Sequence, residues 1–275
     1  MPPSIIKAHA LGNDFLLMNE AELAADVDRI DFARRVCSRH HGIGGDGLMS
    51  FTRLDEEGAA AAVRMSLLNA DGSYSELSGN GVRCLAAWLA SEHDLKPGNF
   101  VHVHSDVGVK RLQLLDVAGS RFTFCAYMGQ PQAIDRVRIG VAGEDVEAVT
   151  LRVGNPQCVV IGDVSEHRLH TVAAALSVHP HFTAGTNVEL AHVESPSHVR
   201  ILIWERGVGP TEASGTGACA AAVAAMSFAG ASHDLSVASP GGTQRVEWRE
   251  DGLYLTGWAE VTAVCDWRGG EQADA

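Results

Sequence analysis

Basic side chains are scarce in this chain of 275 residues. It carries 21 Lys and Arg against 34 Asp and Glu, a net charge of −13, which argues against sequence-independent nucleic-acid binding because that depends on many cationic contacts to phosphate. The same balance leaves no overall field to draw in an acidic ligand, so a carboxylate must be captured by local devices such as helix ends and a placed arginine. Long apolar runs are also missing. Nothing approaches the roughly 20 apolar residues that span a bilayer, and Met1-Pro2-Pro3-Ser4-Ile5-Ile6-Lys7 has no extended apolar region of the signal-peptide kind. A cytoplasmic protein without membrane or nucleic-acid partners is expected. The six cysteines (Cys37, Cys84, Cys125, Cys158, Cys219, Cys265) include no CxxC pair and no His/Cys ligand spacing, so free thiols are expected and a metal site is not. The proline in His179-Pro180-His181 argues for a loop rather than a ligand-bearing helix.

What the chain does contain is an internal echo. Ser78-Gly79-Asn80-Gly81-Val82-Arg83-Cys84 and the apolar stretch after it return 136 positions later as Ser214-Gly215-Thr216-Gly217-Ala218-Cys219 and another Ala-rich stretch. Each copy is a glycine-rich turn running into a helix whose first backbone N–H groups lack intrahelical partners, a ready anion receptacle. Two such helix ends around one carboxylate would present its α-carbon to the first residue of each copy, the geometry that inversion of a stereocentre requires. That pattern points to a racemase or epimerase.

Around the echo lie many short strands and few helices. Ile5–Ala10 and Phe15–Met18 read as strands flanking Leu11-Gly12-Asn13-Asp14, and Asp31 is positioned to cap a short helix ending near His40. Ala61–Leu68, Val101–His104, Val109–Leu115 and Arg121–Tyr127 alternate as strands, with the first echo helix at about 79–91. Val146–Val153, Asn187–Ala191, Val199–Trp204, Val246–Trp248, Leu253–Thr256 and Glu260–Val264 are strands of the second half, and Val164–Ala175 is helical. This content predicts an α+β fold of two pseudo-symmetric domains, each a curled, mostly antiparallel sheet or barrel around a central helix. The boundary is placed near Ala118-Gly119, giving halves 1–118 and 119–262, and the polar residues 269–275 are expected to fray.

These landmarks resemble the diaminopimelate epimerase family. The matching pieces, in family order, are Leu11-Gly12-Asn13-Asp14-Phe15, Gly42–Gly47, Asn69-Ala70-Asp71-Gly72-Ser73, Gly79–Cys84, Gly154-Asn155-Pro156, Thr186-Asn187-Val188-Glu189, Glu205-Arg206-Gly207, Gly215–Cys219 and Pro240-Gly241-Gly242. The resemblance implies an isomerase of lysine and cell-wall precursor synthesis that uses no cofactor, with its site between the halves, an assembly such as a homodimer, and a C-terminal segment, about 263–275, returning to the first domain. It also implies that Asn13, Asn69, Asn155 and Asn187 hydrogen-bond the amino and carboxyl groups of a diamino diacid. Arg206 would bind the distal carboxylate, and Gly79, Asn80, Gly215 and Thr216 would offer backbone N–H groups to the α-carboxylate. Gly47 stands where some relatives have glutamine.

The departures from the family pattern fall on the reacting groups. Both reacting cysteines are serine, Ser78 and Ser214, and the histidine after Gly-Asn-Pro is Gln157. Cys84 and Cys219 match the second cysteines of the family motifs and are expected to be buried core residues. A thiolate is accessible near neutral pH at a helix N-terminus, whereas a serine hydroxyl is a poor base unless another group takes its proton. Glu205, the carboxylate expected beside the second reacting position, is present. Deliberate replacement accounts for the two serines; a natural branch whose chemistry has drifted accounts for all three departures. Three functions stay open: epimerisation of LL- to meso-diaminopimelate, isomerisation of another substrate on the same scaffold, and a binder that holds an amino acid without turning it over.

Overall fold

The computed structural model describes residues 2–269. Contacts divide the chain into two compact units, one running to Phe124 and resuming at Trp258, the other from Cys125 to Gly257. The sequence reading put the boundary at 118/119 and the return at about 263; the units change over inside two strands, where an alternation pattern carries no mark. The expected fraying of 270–275 lies outside the described residues.

The first unit contains strands β1 (Ser4–Ala10), β2 (Asn13–Asn19), β3 (Gly47–Leu54), β4 (Ala61–Asn69), β5 (Tyr74–Ser75), β6 (Phe100–Ser105) and β7 (Gly108–Ala118), with helices α1 (Arg29–Cys37) and α2 (Gly79–Glu92). Strand β8 (Arg121–Gly129) leads into the second unit. There follow β9 (Gln132–Val141), β10 (Glu144–Val153), β11 (Asn155–Ile161), a helical segment made of α3 (Glu166–Arg168), a π-turn (Leu169–Ala173) and α4 (Ala174–Ser177), then β12 (Asn187–Ser195), β13 (His198–Glu205), β14 (Gly209–Thr211), α5 (Gly215–Phe228), β15 (Asp234–Ser239), β16 (Gly242–Arg249) and β17 (Gly252–Asp266). Strand β17 spans what the sequence pattern reads as two strands, and β3, β5, β9, β11, β14 and β15 are not among the expected strands.

Within the first unit β1 pairs antiparallel with β2 and with β17, β2 runs parallel to β3 across α1, and β4 runs parallel to β6 across α2. Because β17 also pairs with β8, the sheet closes on itself as a barrel. The second unit repeats the plan. β11 runs parallel to β12 across the α3–α4 segment, and β13 runs parallel to β15 across α5.

Each unit wraps a helix that has almost no polar face. Residues Asn80 through Ala87 of α2 and Gly217 through Met226 of α5 are all buried, and α5 packs on Val149, Leu151, Val199, Ile201, Val237 and Leu255 of the surrounding sheet. Burial of that apolar area, at about 25 cal/mol per Å², is what holds such Ala-rich helices in place.

Two turns depend on residues with positive φ. The β1–β2 hairpin turns on Leu11 and Gly12, both with φ in the left-handed region (56° and 86°), as a two-residue primed turn demands. Leucine is strained there, and its complete burial offsets the cost. The β10–β11 turn uses Gly154 (φ 76°), so in both units a positive-φ glycine delivers an asparagine, Asn13 or Asn155, as the first residue of the next strand. Helix α1 corrects one expectation: its cap is Asp28, whose carboxylate accepts from the backbone of Ile30 and Asp31 at 2.9 and 3.2 Å, and the helix stops at Cys37 rather than His40. Asp31 lies inside the first turn, at i,i+4 from Arg35. Asp28→Ala should therefore cost about 1 kcal/mol in a denaturant melt, whereas Asp31→Ala should stay within about 0.5 kcal/mol; equal losses would reject this assignment of the cap.

Candidate active site

In the first unit, Ser78 is the N-cap of α2. Its extended backbone (φ −127°, ψ 122°) turns the side chain back so that Oγ accepts from Gly81 N at 3.1 Å. Asn80, buried in the first turn, donates through Nδ2 to Asn13 Oδ1 at 3.1 Å, and its Oδ1 accepts from the buried Arg83 guanidinium. Asn13 Nδ2 in turn donates to Asp46 Oδ2 at 2.6 Å. Behind this relay, Arg39 grips Asp14 with two hydrogen bonds (2.7 and 3.2 Å) and reaches Asp46 at 2.8 Å, while Lys7 approaches Asp14 at 2.9 Å. Burial works against ionisation of Asp14, but the hydrogen bonds from Arg39 and Lys7 hold its carboxyl below the ordinary range. An asparagine amide is ambiguous by itself, and the network fixes which end of Asn13 donates. Asn69 closes β4 opposite Gly47, and its Nδ2 donates to Ser73 Oγ at 2.9 Å.

The second unit repeats the cap and changes its surroundings. Ser214, extended (φ −138°, ψ 128°) and 6% exposed, accepts through Oγ from Gly217 N at 3.2 Å and lies 3.5 Å from Thr216 Oγ1. Its hydroxyl lies beside Glu205, the last residue of β13, and favours that carboxylate. Burial raises the Glu205 carboxyl above its ordinary value, and the neighbouring Ser214 hydroxyl only partly opposes this. A base beside a hydroxyl, with its proton affinity moved toward neutrality, is the combination that proton abstraction uses. Asn187 opens β12; its Oδ1 accepts from Arg206 N at 2.9 Å, which leaves the amide nitrogen to donate. Exposed Arg206 anchors one guanidinium nitrogen on Ala184 O at 2.6 Å. Gln157, 1% exposed, lies beside Asn187 in the parallel register and donates to Asn155 Oδ1 at 2.6 Å; its Oε1 is buried without a hydrogen-bond partner.

The sequence-selected residues thus gather at the mouths of two helices. Ser78, Gly79, Asn80 and Asn13 surround the start of α2, with Asn69 at the nearby end of β4. Ser214, Gly215, Thr216 and Glu205 surround the start of α5, and Asn155, Gln157, Asn187 and Arg206 form a connected row on β11, β12 and the end of β13. Cys84 and Cys219 are fully buried, and burial raises the Cys84 thiol far above its ordinary value. Three features escaped the sequence reading. Arg39 and Asp46 come together only through the fold, so no local pattern marks them. Glu189 did carry a signal, because a residue two after Asn187 on a strand shares its face.

Glu189 is fully buried, and neither carboxyl oxygen has a hydrogen-bond partner among the described residues. A Cβ added to Gly217 would stand 2.6 Å from its Oε1. Burial first, and the neighbouring Glu205 second, push the Glu189 carboxyl well above its ordinary value.

Comparison with known proteins adds a family. The model described as diaminopimelate epimerase matches residues 5–134 and 149–262. The chain is 36% identical to the diaminopimelate epimerase of Heliobacterium modesticaldum over 92% of this chain and 95% of that protein. It is 38% identical to that of Desulforudis audaxviator over 95% and 98%. Among solved structures, one described as a predicted epimerase from Pseudomonas aeruginosa superposes with a TM-score of 0.74 at 14% identity, covering 98% of this chain and all of that one. That last likeness is one of fold.

The packing at the helix mouths makes a direct prediction. A Cβ at Gly79 meets nothing within 4 Å, whereas one at Gly217 meets a buried carboxyl group. In thermal melts Gly79→Ala should be neutral or stabilising by up to about 1 kcal/mol, and Gly217→Ala should cost about 1–3 kcal/mol; a neutral Gly217→Ala would mean that the turn is not held against β12.

Proposed function

The chain belongs to the diaminopimelate epimerase family and is an isomerase, and from that premise we propose that it converts LL-diaminopimelate to meso-diaminopimelate by two-base proton transfer at the α-carbon, without pyridoxal phosphate or metal. The observation that carries this reading is the juxtaposition of the Ser214 hydroxyl and the Glu205 carboxyl at the mouth of α5: it sets the hydroxyl at a reacting position of the family beside a carboxylate able to take its proton.

In this reading the substrate's α-carboxylate lies on the first-turn amides of Gly79, Asn80, Gly215 and Thr216, where negative charge spreading from the carbanion is also stabilised. Asn13, Asn69, Asn155 and Asn187 hold the amino and carboxyl groups, and Arg206 takes the distal carboxylate through its planar fork. On one face of the α-carbon Ser214 Oγ removes the proton while its own passes to Glu205. On the other face Ser78, or a water held there, returns a proton. In the reverse direction the roles exchange. Lysine and peptidoglycan precursor synthesis, a cytoplasmic setting and a homodimer belong to the same reading.

Gln157 favours one rival reading. A neutral amide cannot accept a proton, so the face served by Ser78 has no supporting base, and the chain would bind the amino acid without turning it over. Incubation of purified protein with LL-diaminopimelate in deuterium oxide distinguishes the two. Slow incorporation of α-deuterium with appearance of the meso isomer is expected, and the Ser78→Cys/Ser214→Cys/Gln157→His variant should be faster by about 100-fold or more. Tight calorimetric binding with no exchange in the original chain would establish the binder. No exchange by either protein would reject the epimerase reading.

A further inference from the structure

The two units build the same cap on different foundations. In the first, a Cβ on Gly81 of α2 would meet Met49 Cε at 2.6 Å; in the second, the matching Cβ on Gly217 of α5 would meet Glu189 Oε1 at the same distance. Met49 and Glu189 hold corresponding places, each the third residue of its strand: Met49 pairs with Leu67 of β4, and Glu189 with Ile203 of β13. Two residues further along those partner strands come Asn69 and Glu205, the strand ends. Packing beneath the first helical turn is therefore satisfied by a methionine. The carboxyl group at 189 fills a position where an apolar side chain suffices, and burying it costs free energy.

The charge state of that carboxyl follows from what surrounds it. Three elements pack against it. On β11 the registered neighbour is the apolar Val159, while the buried thiol of Cys158, pushed up to about 12 by burial and by Glu189, lies on the opposite face of the sheet; from β13 comes the carboxyl of Glu205; from α5 come Gly217 and the uncharged Ser214 turn. None is a cation. A buried carboxylate without a counter-charge or a hydrogen bond, beside a second carboxyl, keeps its proton.

We propose that Glu189 is a positioning residue for the Ser214–Glu205 pair: held as an uncharged carboxylic acid beneath the first turn of α5, it leaves Glu205 as the one ionised carboxylate at that helix end. The charge assignment stands on the packing alone, and its effect on turnover rests on the epimerase reading. If Glu189 were ionised, Glu205 would bind its proton more tightly, and a second negative charge would oppose the capture of an anion by the helix N-terminus.

Infrared spectroscopy of the purified chain at neutral pH tests the assignment without requiring activity. A carbonyl stretch of a buried protonated carboxylic acid is expected in the original protein, lost in Glu189→Met and kept in Glu205→Gln. Absence of the band, or its loss in Glu205→Gln instead, would overturn the proposal. Melting temperature against pH gives an independent readout. A carboxyl whose folded-state value is raised contributes stability below its unfolded value, about 4.3, and that contribution is lost as pH rises toward the folded value. Glu189→Met should therefore flatten the decline in melting temperature above about pH 4.3, and an unchanged slope would overturn the proposal. Since methionine already fills the equivalent place in the first unit, the variant should fold; Glu189→Gln, the polar isostere, serves as the second variant. Under the epimerase reading, ionisation of Glu189 at alkaline pH should slow α-deuterium exchange, and that fall should be lost in Glu189→Met. Exchange absent from every protein would reject that reading while the infrared band still judged Glu189.

Discussion

Everything in this molecule is arranged around helices that have no outward face. From Gly217 to Met226 every residue of α5 is buried, and α2 is close to the same condition. A helix of that kind is stable only when a sheet surrounds it, and once surrounded it has little but its ends to offer to a ligand. Its N-terminal amides carry partial positive charge, so the mouth of each helix has the electrostatics that the proposed anion binding uses, as a by-product of packing. The third helical residue must be glycine because a strand residue, Met49 or Glu189, presses against it. That contact, more than the loop before it, sets where the Ser78 and Ser214 hydroxyls stand.

Strong local patterns were legible in the sequence. The echo located both central helices to within a residue or two, since a glycine turn before an unbroken apolar run has few other solutions. Strands with clean alternation, such as β4, β8 and β13, were recovered, and the burial of Cys84 and Cys219 followed from their depth inside the helices. The misses have physical causes. β3 starts in a glycine-rich stretch that reads as loop and becomes a strand through pairing with β2 and β4. β17 was broken at Gly257-Trp258-Ala259, where a glycine in a long strand looks like a turn until the partners on either side are known. The cap of α1 was assigned three residues late because Asp28 and Asp31 are both plausible caps, and only backbone geometry separates them.

The site divides in the same way. Asn13, Asn155, Asn187, Ser78, Ser214 and Glu205 sit in short motifs with distinctive neighbours and could be named without coordinates. The Asp14, Arg39 and Asp46 cluster could not, because its members meet only through the parallel pairing of β2 with β3 and the packing of the loop after α1. It nonetheless decides how Asn13 points. An amide whose nitrogen is committed to Asp46 and whose oxygen is committed to Asn80 has one orientation, and in the proposed binding role that gives specificity a rotating amide lacks.

Pseudo-symmetry places equivalent hydroxyls on two helices, but the groups that can hold a proton are unequally shared. Where the second unit has Glu205 and Glu189, the first has Asn69 and Met49, and the relay behind Ser78 consists of amides and already paired ions. Ser78 therefore meets a polar frame that fixes geometry without accepting a proton, while Ser214 meets a carboxylate whose basicity burial has raised. On the proposed reaction the two faces of the α-carbon are thus unequal, one driven by a carboxylate and the other by a hydroxyl whose conjugate base is costly to form. The replacement of thiols by hydroxyls then bears mainly on the Ser78 side. On that proposal the rate is governed by whichever proton must cross the unsupported face.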